Sequence, residues 1–190
     1  MMASKGPSKT EFDFGVEPNA TPDSPALAEA QLLIFDVSAP AWMDGTAMFY
    51  RLAYQNAAVP LPYAESEWVM SPAALLTQRL RSSAAVHGDG GARLVGVRTP
   101  AVYRLHSELL EFEQIFDAPD RSRGVLRLRA TLEGEGVWAQ RTFAIEQVAP
   151  TPNAPGGVTA LTECSNELAR LLEGWVAANH LRSALAVKRN

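Results

Sequence analysis

From Arg123 to Leu132 the chain alternates strictly. In an extended backbone Leu126, Leu128, Ala130 and Leu132 fall on one side, and Arg127, Arg129 and Thr131 on the other. A strand with one buried and one solvated face satisfies that pattern, and a helix does not. Glu133-Gly134-Glu135-Gly136 follows as a hairpin turn, and Val137 to Val148 returns with Val137, Ala139, Phe143 and Ile145 on one side. Upstream, Val102 to Phe116 is long enough for a third strand, with Leu110, Phe112 and Phe116 assigned to its inner face. The three form an antiparallel meander, and the rest of the chain has to pack against it.

The earlier elements are shorter. Residues 1–30, rich in Ser, Pro, Ala and Lys, read as a flexible lead-in with one ordered island at 11–15, where Phe12 and Phe14 could pair as an edge strand. The dense apolar run Gln31 to Val37 suits a central strand. Pro40 and Asp44-Gly45 break it, and Ala47 to Tyr54 forms another strand. Pro60 and Pro62 predict an extended loop. Ser71-Pro72 starts a helix: a serine side chain can satisfy an orphan N–H, and proline loses nothing at the first helical position. That helix runs to about His87, with Leu75, Leu76 and Leu80 inward and Gln78, Arg79 and Arg81 toward water. Gly88-Asp89-Gly90-Gly91 ends it, and Arg93 to Val97 is a short strand. Ala149 to Gly157 is a loop with three prolines and two glycines. An amphipathic helix from about Val158 to Leu181 carries Leu161, Cys164, Leu168, Leu171, Leu172, Trp175 and Val176 at helical spacing.

This order defines the α/β class: a mixed sheet with one strand–helix–strand unit and a C-terminal antiparallel meander, and two main helices packed on the sheet. A right-handed crossover sets the Gln31 and Arg93 strands parallel and close together. The expected division is the lead-in, one globular domain over 31–182 and a tail over 183–190.

The chemistry is sparse. A net charge of −4 and a pI near 5.4 argue against a nucleic-acid partner. The single cysteine, Cys164, excludes an internal disulfide and sits on the apolar face of a helix. His87, His106 and His180 have no ligand-spaced partners, so no metal site is expected. The glycines at 88–91 follow a helix, not a strand, and no phosphate-loop motif occurs; no cofactor is implied. Glu108, Glu111 and Glu113 lie within cross-strand reach of Arg127 and Arg129, with Arg121 and Arg123 nearby. Mutual pairing on a solvated face explains both groups, and binding of anionic headgroups is the lesser reading. No catalytic residue is identified. No apolar run approaches the ~20 residues of a membrane span, and Met1 to Lys9 shows no apolar leader.

The aromatic residues Trp42, Phe49, Tyr50, Tyr54, Tyr63 and Trp68 crowd the first half. Core packing accounts for most of such a set. Trp42, in a turn between Pro40 and Asp44, is the best candidate for exposure, and Trp, Tyr and Arg are the residues that dominate interfaces. Trp42, Tyr50, Arg51 and Trp68 are therefore the candidate partner or ligand contacts.

These motifs resemble the ABC-type transport auxiliary lipoproteins, the group that includes the paraquat-inducible protein C type. The resemblance rests on Phe12-Asp13-Phe14-Gly15, the turn Pro40-Ala41-Trp42-Met43-Asp44, and Tyr50-Arg51. It continues with Trp68 ahead of Pro72, Leu75, Leu76 and Leu80, then Tyr103 to Leu109 with Phe112, and the last helix. Together they cover roughly residues 11–180. The resemblance implies a non-enzymatic periplasmic domain anchored to the outer membrane through a lipidated N-terminal cysteine. Its partners would be the substrate-binding protein, permease and ATPase of one ABC system, with lipid as cargo, and it could form a homo-oligomer. The lipidation cysteine and leader are not present in this chain, and Cys164 cannot replace them from inside a helix. A small hydrolase-like enzyme and a soluble lipid carrier are the alternatives from other classes. A cleft with convergent polar groups would favour the first, and an enclosed apolar cavity the second.

Overall fold

The computed structural model describes residues 9–16, 30–87, 101–134 and 136–187. Seven strands form one mixed sheet: β1 (Thr10–Phe12), β2 (Ala30–Ile34), β3 (Ala47–Leu52), β4 (Leu61–Trp68), β5 (Ala101–Ala118), β6 (Arg121–Gly134) and β7 (Val137–Val148). The helices are α1 (Ala53–Asn56), α2 (Pro72–His87) and α3 (Ala154–Val187).

The spine is β5. On one edge it runs antiparallel to β6 for almost its whole length, and β6 continues antiparallel to β7 without a break, from Arg123↔Val148 to Gly134↔Val137. Its other edge is shared in series. β2 lies parallel against 101–105, Ser38 bridges to Glu108, and β3 lies parallel at Gln114 to Phe116. β4 then pairs antiparallel with β3, and β1 pairs parallel with β4. The meander has the expected alternation: Leu126, Leu128, Ala130 and Leu132 are fully buried, and Gly136 supplies the positive φ of the β6–β7 turn.

Both long helices cover the same face of the sheet. α2 is capped as expected, with the Ala74 N–H donating to Ser71 Oγ at 3.4 Å, and Leu75, Leu76 and Leu80 are buried. α3 packs Leu161, Cys164, Leu168, Leu172 and Val176 onto Leu126, Leu128 and Phe143 of β6 and β7. It comes so close that a Cβ on Gly124 would lie 2.9 Å from the Leu161 nitrogen, which reserves that position for glycine.

Several expectations give way. The Gln31 run is not central: β2 pairs with β5 alone and leaves Leu33 and Phe35 exposed. The dense apolar stretch misleads because its two sides serve different ends, Leu32 and Ile34 packing on the core and Leu33 and Phe35 facing out. Pro60 and Pro62 do not enforce a loop, since Leu61–Trp68 is a strand. Pro62 is accommodated because β1 reaches only Ser66 to Trp68, so the edge beside Pro62 asks for no donor. The strand after Ala47 ends at Leu52 and turns directly into α1. Leu110 does not join Phe112 and Phe116 inside. A register shift between Leu109 and Glu111 moves the inward set from odd to even positions, so Leu109 is buried and Leu110 faces the other way. Arg79 is buried rather than hydrated: Nη1 donates to Asn166 Oδ1 and Nη2 to the Phe14 carbonyl, both at 3.0 Å. The last helix begins earlier, at Ala154, and extends to Val187. The strand expected at Arg93 to Val97 and the glycines at 88–91 lie outside the described residues.

Candidate interaction site on the helix-free sheet face

The meander turns Arg104, His106, Glu108, Arg127 and Arg129 away from the helices and leaves them exposed. Neither long helix covers that face, and of the short α1 Ala53 reaches its edge. Its charges neutralise one another along the ladder. Arg129 Nη1 lies 2.9 Å from Glu108 Oε2, Arg127 Nη2 lies 3.7 Å from Glu111 Oε2, and Arg123 joins Asp117 and Glu146. The expected cross-strand pairing is present for Glu108 with Arg129 and Glu111 with Arg127, whereas Glu113 is buried and pairs with Arg51 of β3 instead. Apolar side chains stand among the charges. Phe35 is stacked on His106 at 4.3 Å between ring centres, with Leu33 and Trp138 also exposed.

Where β3 meets β5 this face sinks into an open depression of about 340 Å³ lined by Trp42, Arg51, Leu110, Glu113, Ile115 and Arg123 among others. Local chemistry builds each wall. Pro40 accepts from the Met43 N–H at 2.8 Å, closing a single 3₁₀ turn over Ala41–Met43. Met43 is buried and pins that turn, so Trp42 beside it is 43% exposed, edge-on to Phe49 at 5.3 Å. Arg51 projects from β3; its Nε donates to Glu113 Oε1 at 2.7 Å and its Nη1 to the Ala57 carbonyl at 3.0 Å. Glu113 is only 1% exposed, and its second oxygen has no partner. Desolvation raises its pKa above the usual carboxylate value, against the opposing pull of the Arg51 guanidinium.

Of the four candidate contacts, the structure brings together Trp42 and Arg51. Tyr50 points to the helix-covered side, half-buried against Tyr63 at 4.6 Å and Phe116 at 5.8 Å. There Tyr63 donates to Gln114 Oε1 at 2.8 Å, and burial pushes the Tyr63 hydroxyl upward so that it stays a donor. Trp68 is 1% exposed and packs on Phe14 and Phe112, so it is a core residue with no surface to offer a partner. Glu113 and Leu110 belong to the depression, whereas sequence pattern places Glu113 on a solvated face and Leu110 in the core. Glu113 shares its side of the strand with Glu111, and burial at that place depends on the approach of β3, which local pattern does not encode.

The charged lining of the depression, Arg51, Glu111, Glu113 and Arg123, is ion-paired throughout, and no serine, cysteine, lysine or histidine is among its lining residues. Among the described residues no group of three or more His, Cys, Asp and Glu is arranged to hold a metal ion, and no helix is long and apolar enough to cross a membrane. What the fold and this face define is a two-layer α/β domain with a wide, charge-neutralised sheet surface interrupted by aromatic side chains.

The family model for the ABC-type transport auxiliary lipoprotein component matches residues 12–172, and the chain belongs to that family. The family is one of transport accessory components of lipoprotein type rather than of enzymes. The crystal structure of protein XCC0632 from Xanthomonas campestris is similar, with a TM-score of 0.69 and 17% identity over 85% of this chain and 93% of that one. A crystal structure of an uncharacterized protein matches with a TM-score of 0.65 and 13% identity over 89% and 99% of the two chains. At these identities the likeness establishes a shared fold. No curated protein matches.

Proposed function

We propose that this chain is a non-catalytic accessory component of an ABC transport system for lipids, and that it links the periplasmic part of the transporter to the outer membrane. The observation that carries the reading is the helix-free sheet face with the Trp42–Arg51 depression: large, laid out for contact and built from an aromatic rim and a neutralised ion pair. Family membership supplies the transport system. The substrate-binding protein is the partner proposed to dock there, with permease and ATPase further along the same assembly and no nucleic acid involved. The hydrolase-like alternative has two carboxylates in the depression, Glu111 and Glu113, but each is engaged by an arginine, Arg127 and Arg51, and the carrier alternative gains nothing from a depression open to solvent.

The experiment is co-purification of the full chain with the cognate substrate-binding protein, comparing wild type, Trp42→Ala and Glu108→Lys. Trp42 is the rim of the depression, so Trp42→Ala weakens capture at least tenfold while the thermal unfolding midpoint stays close to wild type. Glu108→Lys, on the same face but away from the depression, has the smaller effect. Undiminished capture by Trp42→Ala would remove the depression from the interface.

A further inference from the structure

We infer that the outer edge of β7 is a self-pairing seam, on which β7 of a second copy of this chain adds antiparallel to extend the sheet across a two-fold axis. Among the described residues the sheet has three open edges of unlike length: β1 with the Pro62 end of β4, the outer side of five-residue β2, and β7. At one end β1 is three residues long, too short to template another strand. At the other, β7 runs for 12 residues, Val137 to Val148, and among the described residues nothing pairs with its outer side. A bare edge presents a row of unpaired N–H and C=O groups, and folded proteins blunt it with proline, charged side chains, a bulge or a short strand; the charges on β7 are Arg141 and Glu146 alone. β7 contains no proline and no lysine, and its register with β6 is unbroken. An edge this long and regular is a template for pairing.

The side chains select the occupant. The outward face of β7 carries Trp138 and Val148 near its two ends, 68% and 74% exposed, the most exposed large hydrophobic residues of any described strand. A two-fold axis normal to the sheet keeps matching faces together, so paired positions must share a face. With the axis at Phe143, Trp138 of one copy lies opposite Val148 of the other, at both ends of the seam. Each exposed hydrophobic residue then covers the other. Gln140 falls opposite Glu146 and Arg141 opposite Ile145, so no like charges meet. Axes at Arg141 or at Glu146 would set two arginines or two glutamates face to face, which is unfavourable. The same strand supplies both halves of the complementarity, which favours a second copy over an unrelated strand.

The helix layer continues the seam. Beside Arg141, on the helix-covered side of the β7 edge, a depression of about 350 Å³ is lined by Arg170, Leu171, Gly174, Trp175, Ala178 and Asn179 of α3. Gly174 and Ala178 are exposed one turn apart, and nothing stands within 4 Å of a Cβ built on Gly174. In the pair, the second copy's α3 lies alongside this surface and fills it. A stable interface needs about 1,200 Å² or more in total, and strand plus helix flank contribute to it where strand alone is slim.

The test is the mass of the purified full chain by light scattering, from micromolar to near-millimolar concentration. The variants are Thr142→Lys with Ala144→Lys, and Thr142→Glu with Ala144→Glu. Both positions are exposed on the outward face of the monomer, so the charges spare its core, and circular dichroism confirms folding. The expected result is a concentration-dependent dimer for wild type and monomers for each charged variant. A dimer reappears when the two variants are mixed. Hydrogen exchange gives a second readout, with β7 amides slowing as wild-type concentration rises. A wild-type monomer throughout, charged variants that assemble like wild type, or a mixture that stays monomeric would each overturn the seam. Protection of β7 that arises only on adding the transporter's substrate-binding protein would overturn self-pairing and give the edge to that partner.

Discussion

Arg51 and Glu113 clamp together two strands that are paired over only a few residues: Arg51 Nε on β3 donates to Glu113 Oε1 on β5 at 2.7 Å, beside the short parallel register Tyr50↔Gln114 to Leu52↔Phe116. The carboxylate is buried, the guanidinium is about one-fifth exposed, and the other carboxylate oxygen has no partner. The contact therefore holds β3 in place at the expense of an incompletely satisfied charge.

That imbalance sets a pH dependence. Burial raises Glu113 above its usual value of 4.5, so the folded protein holds the proton more tightly than the unfolded chain. A raised acid contributes its stability fully below the unfolded value and loses it as pH rises through the folded one. Wild type should lose ground to Glu113→Gln as pH rises from 4.5 toward neutrality, read from urea midpoints across that range. Parallel profiles for the two proteins would show that Glu113 carries no such shift. Arg51→Ala strands the carboxylate altogether, costs about 3 kcal/mol at neutral pH, and is milder in acid.

Two tryptophans that look alike in sequence should differ sharply in energetics. Trp68→Ala empties a fully buried site between Phe14 and Phe112 and costs about 3–5 kcal/mol. Trp42→Ala gives up an edge-on contact with Phe49 at a half-exposed position and costs about 1 kcal/mol. Chemical denaturation of both variants decides this, and equal losses would place Trp42 in the core.

Arg79→Met should loosen one region rather than the whole domain. The guanidinium ties α2 to the Phe14 carbonyl and to Asn166 of α3, and lies 5.7 Å from the Phe14 ring centre. Hydrogen bonds from a charged donor are each worth about 1.5–3 kcal/mol. Exchange should quicken at residues 10–15 and at the Val69 amide, which donates to Phe12, ahead of the β5–β6–β7 amides. A uniform change across the sheet would contradict this local role.

Cys164 should be inert in the folded protein. It is fully buried on the sheet-facing side of α3, and burial pushes its thiol up to about 12, so thiolate is scarce at neutral or mildly alkaline pH. Modification by a thiol reagent at pH 8 should proceed only at the rate of unfolding and become immediate in denaturant. Rapid labelling of the native chain would mean that α3 lifts from the sheet.

Legibility in the sequence followed the range of the forces involved. The meander and the start of α2 could be read because alternation at Leu126 to Leu132 and the Ser71-Pro72 cap are local signals. β4 was hidden because its two prolines look like breakers until β1 is known to stop short of Pro62. Periodicity places Leu110 inside with Phe112 and Phe116, because it cannot see the register shift next to Leu109 that turns both Leu110 and Glu111 away from the core. Arg79 looked like a surface residue because helical spacing shows which side chains share a face, but not that Phe14 and α3 close over that face. At the depression, Trp42 could be picked out from its turn, while Glu113 could not, because its burial is created by a strand 62 positions away.

The division of one β5 edge between β2 and β3 reaches into how the domain is made. Both strands are synthesised early, yet the edge they need belongs to residues 101–118, so Ala30 waits for Ala101 and Tyr50 for Gln114. The first half of the nascent chain can close the β3–β4 pair and start α2, but it cannot complete a sheet. Its apolar strands stay available to wrong partners until the middle of the polypeptide has emerged. Contacts that span so much sequence make folding slow, and slow folding of exposed strands is when aggregation competes. Expression yield should therefore respond more to chaperones or lowered temperature than to changes in the meander, which can form from its own neighbours.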